Sequence, residues 1–286
     1  MTTLIVSAMT EELAVLRARL SGATSLPLPG GGPGAREVVS GRLGGHGVLL
    51  AATGDGARNA RQGIAALLAA LPVRDVLVLG ISGALSADLR EGDVVVANQV
   101  LDEAAGASSP VTAPATSVEA IARASGARPA AVVTARHIAD SVAEKRRLAS
   151  LANAPTAVVD LETSGYVAAA RDAGLPWMVL RAVSDTAGEA LPALLNRARD
   201  EGGAVRRGSV VRGLFGDPGA LPALLSLRRR LKLCAEALAR AATAVITAGA
   251  WPAPTERPLD AADAFVSRTP GTVDRPGAKP SPERAR

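Results

Sequence analysis

The sequence predicts an α/β fold of three layers, a mainly parallel, mixed sheet flanked by helices. Strand-like and helix-like segments alternate from the N-terminus to about residue 200, which is the pattern of a sheet whose crossovers are helical. The run Asp75-Val-Leu-Val-Leu-Gly-Ile81 is apolar on both faces, as a central strand covered from both sides must be. At 286 residues the chain is long enough to bury a substantial core.

The elements follow in order. Residues 2–9 read as a buried strand. Thr10 to Leu20 place Leu13, Leu16 and Leu20 on one helical face, with Thr10 as the expected N-cap and Glu11 and Glu12 in the first turn, where the helix dipole favours acids. Gly30-Gly-Gly-Pro-Gly34 is a connector, since it lacks phosphate-loop spacing and a following Lys-Ser/Thr. Strands are expected at 36–42 and 47–53, a helix at 57–71, the central strand at 75–81 and a further strand at 92–96. Residues 103–116, rich in Ala, Ser, Pro and Thr, read as a surface excursion. A helix near 117–125, a strand at 130–134, a helix at 141–151, a strand at 156–160, a helix at 162–173 and a strand at 177–183 follow, with helices beyond 189. The α/β domain is thus assigned to 1–203, and a Leu/Ala-rich helical extension packed on it to 204–248. Residues 249–286 are assigned to a disordered tail, rich in Pro and charge and poor in apolar residues.

Composition narrows the function classes. One cysteine and two histidines exclude a disulfide framework and argue against a Cys/His metal site. Cys234 sits in a helical pattern as a small core hydrophobe. The N-terminus lacks a basic leader, and no apolar run approaches the roughly 18 residues of a bilayer span, so a cytoplasmic protein is expected. The net charge is +5, with Arg206, Arg207, Arg212, Arg228, Arg229, Arg230 and Lys232 concentrated in 206–232. That stretch reads either as a solvated helical face or as a peripheral contact for anionic lipid. No nucleic-acid partner is expected, because no aromatics interleave with the charges.

Ligands of open α/β sheets sit beyond the carboxyl ends of the strands. Acids recur there: Glu11 or Glu12 after the first strand, Glu162 after Val158-Val159-Asp160, and Asp185 after Arg181-Ala-Val-Ser184. Each alone reads as a helix-start acid; together they outline a shared site.

Ile5-Val-Ser-Ala-Met-Thr-Glu-Glu12 resembles the opening of the methylthioadenosine/adenosylhomocysteine nucleosidases, within the nucleoside phosphorylase superfamily. Thr53-Gly-Asp-Gly56, Gly80-Ile-Ser-Gly-Ala84 and Glu91-Gly-Asp-Val-Val95 resemble that superfamily's glycine motifs. Val159-Asp-Leu-Glu162 resembles its ribose-binding segment, and Arg181-Ala-Val-Ser-Asp185 its acid-bearing segment. The motifs keep the family order over residues 1 to about 200. The resemblance implies an enzyme that cleaves the N-glycosidic bond of a purine nucleoside. Asp185 would protonate N7 of the base, Ser184 would hold the Asp185 carboxyl, Glu162 would bind the ribose hydroxyls, and Glu12 would orient water, with Glu11 as its competitor. Leu161 stands where nucleosidases often have Met, a volume-conserving exchange under the sugar. Asp160, Ile81 and Ser82 fall in the implied substrate-binding segments. His137 and Ile138 match an aromatic–aliphatic pair that meets the base, His137 reading equally as a surface-loop histidine.

Water or phosphate as nucleophile remains a choice at this stage. The arginine that phosphorolytic relatives carry before the central glycine motif is here Val78, and the Ser position after Gly80 is Ile81. The substitutes are Arg58, Arg181 and the Gly56 amide. No cofactor is expected, apart from inorganic phosphate as co-substrate in a phosphorylase. Gly216-Asp-Pro-Gly-Ala-Leu-Pro-Ala-Leu-Leu225 resembles the C-terminal part of hopanoid-associated phosphorylases, implied to release adenine from adenosylhopane, and Asp140-Ser-Val-Ala-Glu-Lys145 to Glu162 is compatible with that branch. A methylthioadenosine/adenosylhomocysteine nucleosidase is the alternative, and a non-catalytic nucleoside sensor a second. Family members are commonly homo-oligomers, so one is expected here.

Overall fold

The computed structural model describes residues 2–27, 37–106, 110–192 and 221–250. The chain divides into two units, Met1–Ala253 and Pro254–Arg286, and the described residues all belong to the first. The Gly30–Gly34 connector, the expected helices of 193–220 and the tail from 251 onward lie outside them.

Ten strands form one mixed sheet: β1 (Thr2–Ser7), β2 (Ser21–Leu26), β3 (Val38–Leu43), β4 (His46–Ala52), β5 (Val73–Ala84), β6 (Val94–Asp102), β7 (Val111–Thr112), β8 (Arg128–Thr134), β9 (Ala157–Asp160) and β10 (Trp177–Asp185). Its order is β10-β6-β8-β9-β5-β1-β4-β3-β2, with β7 on the flank of β6 and an additional β10–β5 pairing. Parallel pairs (β1 with β4 and β5, β5 with β10, β8 with β6 and β9) build the centre. Antiparallel pairs build the β2–β3–β4 edge, the β6–β7 flank and the joins of β10 to β6 and of β5 to β9.

β5 is the pivot. Its 12 residues pair with β1 and β10 along their length and with β9 at Gly83 and Ala84. The strands β10, β6, β8, β9 and β5 therefore close on one another in a ring. The predicted two-sided apolarity explains why: Val76, Leu77, Val78 and Leu79 are fully buried, as only a strand covered on both faces can be.

Helices α1 (Thr10–Arg17), α2 (Ala57–Ala70), α3 (Ala115–Ser125), α4 (Val142–Ala152), α5 (Thr163–Asp172) and α6 (Leu221–Thr247) flank the sheet. In α2 the buried face is Ala60, Gly63, Ile64 and Leu67, at the spacing of one helical stripe. Helices α2 and α5 approach so closely that a Cβ on Gly165 would lie 2.0 Å from the Ala57 carbonyl oxygen. Helix α6 buries Cys234, Leu238, Ala242 and Val245 and packs against α1, α3 and β10. Cys234 is a core residue, its Sγ 3.1 Å from the Val183 carbonyl oxygen.

β2 was not expected, β5 and β6 run beyond their expected ends to Ala84 and Asp102, and two further boundaries differ. The N-cap of α1 is Met9, which is extended, and Thr10 is the first helical residue; the acid that meets the cap is Glu12, accepting from the Met9 amide at 3.1 Å. The excursion at 103–116 carries a short 3-10 turn (Glu103–Ala105) and β7 and already enters α3 at Ala115. Among the described residues no helix is long and apolar enough to cross a membrane. Within the basic stretch, residues 206–220 lie outside the description, Arg229 and Lys232 are exposed, and Arg230 is drawn inward by Glu91 at 3.0 Å and Glu189 at 2.5 Å.

Candidate active site

The carboxyl ends of β1, β5, β9 and β10 meet around a cavity of about 200 Å³. Glu12, Glu162 and Asp185 all line it, with Ala8, Met9, Asp55, Ile81, Ser82, Gly83, Asp160, Leu161 and Ser184. Three acids far apart in sequence thus border one cavity because β1, β9 and β10 all pair with the pivot strand β5.

Glu12 is the buried acid of α1, while Glu11 is exposed. Its Oε2 accepts from Ser7 Oγ and from the Met9 amide, and its Oε1 accepts from the Ile81 amide at 2.9 Å. Burial pushes its pKa upward, against the hydrogen bond from Ser7 and the attraction of Arg181. Of the two glutamates, Glu12 is the one on the cavity lining.

Glu162 is the N-cap of α5. Its Oε1 accepts from the Gly56 amide at 2.8 Å; Gly56 can present that amide because its φ of 88° is open to glycine. Burial first, and then the negative charge of Asp160, push Glu162 up to about 8. Burial makes an ionised carboxylate costly here, and a ligand that donates hydrogen bonds or carries positive charge would offset that cost.

Beneath Glu162, Asp160 and Arg181 form a buried ion pair. Thr134 Oγ1 donates to Asp160 Oδ1 at 3.0 Å, and the Thr163 amide to Oδ2 at 3.1 Å, while Arg181 donates from Nε and Nη2 to Thr163 Oγ1 at 3.1 and 2.5 Å. Asp160 borders the cavity, yet its carboxylate is occupied by this support. Arg181 crosses its neighbour strand at Gly80, its register partner, where a Cβ would lie 1.5 Å from Nη1. Gly80→Ala is expected to displace the buried guanidinium and cost about 3–5 kcal/mol; urea denaturation within 1 kcal/mol of wild type (about 1, the scale of an ordinary substitution) would contradict this packing.

Asp185 ends β10. Ser184 Oγ donates to its Oδ1 at 2.6 Å, and Lys145 Nζ donates to its Oδ2 at 2.5 Å. Gly83 makes room for the group, since a Cβ there would meet Oδ2 at 2.9 Å. Ser82 Oγ, also buried on the lining, makes no hydrogen bond within the protein. Val159, His137, Ile138, Ala139, Leu191 and Leu231 complete the wall; His137 is half exposed, with Nε2 at 3.4 Å from Glu144.

The residues offered for phosphate are not assembled. Gly56 donates its amide to Glu162, Arg181 is paired beneath the site, and Arg58 is exposed and off the lining. Among the described lining residues five are Asp or Glu and none is Lys or Arg.

Sequence reasoning missed Lys145 as part of the site. The signal was present: Lys145 shares the buried face of α4 with Leu148 and Ala152, and a lysine on an apolar stripe needs a partner. It also missed Tyr166, whose buried hydroxyl lies 2.5 Å from Thr53 Oγ1.

Residues 2–212 match the family model described as the phosphorylase superfamily. Solved structures share the fold. A 5'-methylthioadenosine/S-adenosylhomocysteine nucleosidase from Neisseria meningitidis, in complex with methylthio-immucillin-A, is 20% identical with a TM-score of 0.64, over 86% of this chain and 99% of that one. The corresponding nucleosidase of Colwellia psychrerythraea, in complex with adenine, is 20% identical with a TM-score of 0.65, over 88% and 96%. A futalosine hydrolase mutant of Helicobacter pylori is 18% identical with a TM-score of 0.64, over 86% and 98%.

Proposed function

The chain belongs to the phosphorylase superfamily, and from that premise we propose that it cleaves the N-glycosidic bond of a purine nucleoside, releasing adenine with water as the nucleophile. The observation that carries this reading is the convergence of Glu12, Glu162 and Asp185 on one cavity whose described lining bears no Lys or Arg.

Breaking the C1′–N9 bond leaves the electron pair on the purine and an oxocarbenium-like sugar. Asp185 takes up a proton from solvent and delivers it to N7, which turns the base into a neutral leaving group. Ser184 holds the carboxyl from its Oδ1 side. Glu162 accepts from the ribose 2′ and 3′ hydroxyls; its charge, disfavoured by burial, is stabilised by the cationic sugar. Glu12, anchored by Ser7 and two backbone amides, orients the water that attacks C1′ and takes the proton that this water gives up. Leu161 lies under the sugar, while Ile81, Ser82, His137 and Ile138 border the base. Phosphorolysis would bring a dianion among carboxylates, and Arg181 is committed elsewhere.

For the 5′ substituent, the resemblance of 216–225 and 140–162 to hopanoid-associated phosphorylases supports a hydrocarbon, as in adenosylhopane. Residues 216–220 and the side chains of 221–225 lie outside the described residues, but the apolar wall that includes Met9, Leu191 and Leu231 suits such a group. A methylthioadenosine/adenosylhomocysteine nucleosidase is the second reading, favoured by the Ser7–Glu12 opening. A homo-oligomer and a lipid contact through the basic stretch belong to the same proposal.

Adenine release from adenosine, methylthioadenosine, adenosylhomocysteine and a lipid-tailed adenosine, each with and without phosphate, tests both choices. The lipid-tailed substrate is expected to react fastest, with rates unchanged within about twofold when phosphate is removed. A rate that collapses without phosphate overturns the water reading, and a preference for methylthioadenosine overturns the hydrocarbon.

A further inference from the structure

Lys145 is 1% exposed, and its ammonium has three acceptors: Asp185 Oδ2 at 2.5 Å, the Thr186 carbonyl at 2.7 Å and the Glu189 carbonyl at 2.9 Å. Its three N–H donors are all engaged. It does not line the cavity; it stands behind Asp185. With Ser184 on Oδ1, the two carboxyl oxygens are held from opposite ends, which fixes the plane of a group whose terminal torsion is otherwise broad.

The neighbouring charges do not duplicate this contact. On α4, Glu144 and Arg147 pair with each other at 2.7 Å. On α6, Arg230 pairs with Glu91 and Glu189, and Cys234 is turned to the Val183 carbonyl. Lys145 alone among the described cations pairs with Asp185.

We infer that Lys145 is a positioning residue for leaving-group protonation. It aims the Asp185 carboxyl at the purine and ties it to the 186–189 backbone, so that the proton meets N7 in line. This rests on the proposed role of Asp185. Misplacement of a reacting group by about 1 Å can cost 10²-fold, and a carboxyl released at Oδ2 is free to turn that far.

Two substrates with the same sugar and 5′ group isolate the effect. An adenine nucleoside needs a proton on its leaving group, whereas a 4-nitrophenyl riboside leaves as phenolate without one. In Lys145→Gln, which keeps one donor, kcat for the adenine nucleoside is expected to fall by about 10–100-fold while the nitrophenyl substrate stays within about threefold. Lys145→Arg, which retains a cation in this buried site, is expected to show the same selective loss to a smaller degree and serves if the Gln variant does not fold. Equal losses on both substrates mean structural support only and overturn the inference; so does no loss on either. Asp185→Asn measured alongside separates the levels. If it too spares adenine release, the proposed function fails; if it alone is selectively impaired, only the role of Lys145 fails.

Discussion

Asp185→Asn is expected to lower kcat/KM for adenine release by about 10²–10⁴-fold, because an amide cannot give N7 a proton and keep its own shape. The substitution has a second consequence. It strips Lys145 of its anionic partner in a site where both side chains are almost wholly buried, and an uncompensated buried charge costs about 3–5 kcal/mol. The double variant Asp185→Asn/Lys145→Met removes the stranded ammonium, so it is expected to regain much of that stability and none of the activity. Urea denaturation and adenine release measured on the same preparations check the two halves. Activity that returns together with stability would mean that Asp185 matters for folding and not for chemistry.

Glu162→Gln is expected to lower kcat/KM by about 10²–10³-fold, since the neutral amide no longer stabilises the cationic sugar. Its effect on stability has the opposite sign. In the unfolded chain Glu162 ionises near 4.5, but in the fold burial, and then Asp160, hold it protonated up to about 8. Above 4.5 the unfolded state therefore sheds a proton that the native state retains. Wild-type stability falls as pH rises from about 4.5 to about 8 and levels off beyond that. The glutamine variant lacks this loss while keeping an acceptor for the Gly56 amide, so its gain over wild type is absent near pH 4.5 and complete above pH 8, at about 1–4 kcal/mol. Denaturation at both ends of that window measures it; equal destabilisation at both would contradict the raised acid. A site that is less stable with its functional charge than without it is common where charge is needed only in the transition state.

Much of the site was legible because chemistry and topology coincide. The strands ending at Ser7, Asp160 and Asp185 have the apolar runs of buried strands, and the acids at or shortly after their carboxyl ends stand where α/β sheets place their ligands. Ser82, Leu161 and Ser184 were named through the resemblance to the superfamily, and all three border the cavity. What was not legible depended on contacts between elements. β2 is polar and exposed along Ser21–Ser25, so it carries no alternation of burial; it exists because β3 offers it an edge. Arg181 stands in a motif that invites a phosphate reading, and only the strand register places it over Gly80 against Asp160. Lys145 was visible as an anomaly on α4, but its partner on β10 lies 40 residues away, a distance that no local pattern spans.

The most direct test of the account is the number of adenine molecules released per wild-type chain, with a lipid-tailed adenosine or methylthioadenosine in large excess. Continuing release is expected, many adenines per chain, with free sugar formed in equal amount. A ligand that binds tightly while no adenine appears would contradict it and leave a nucleoside-binding protein in place of an enzyme.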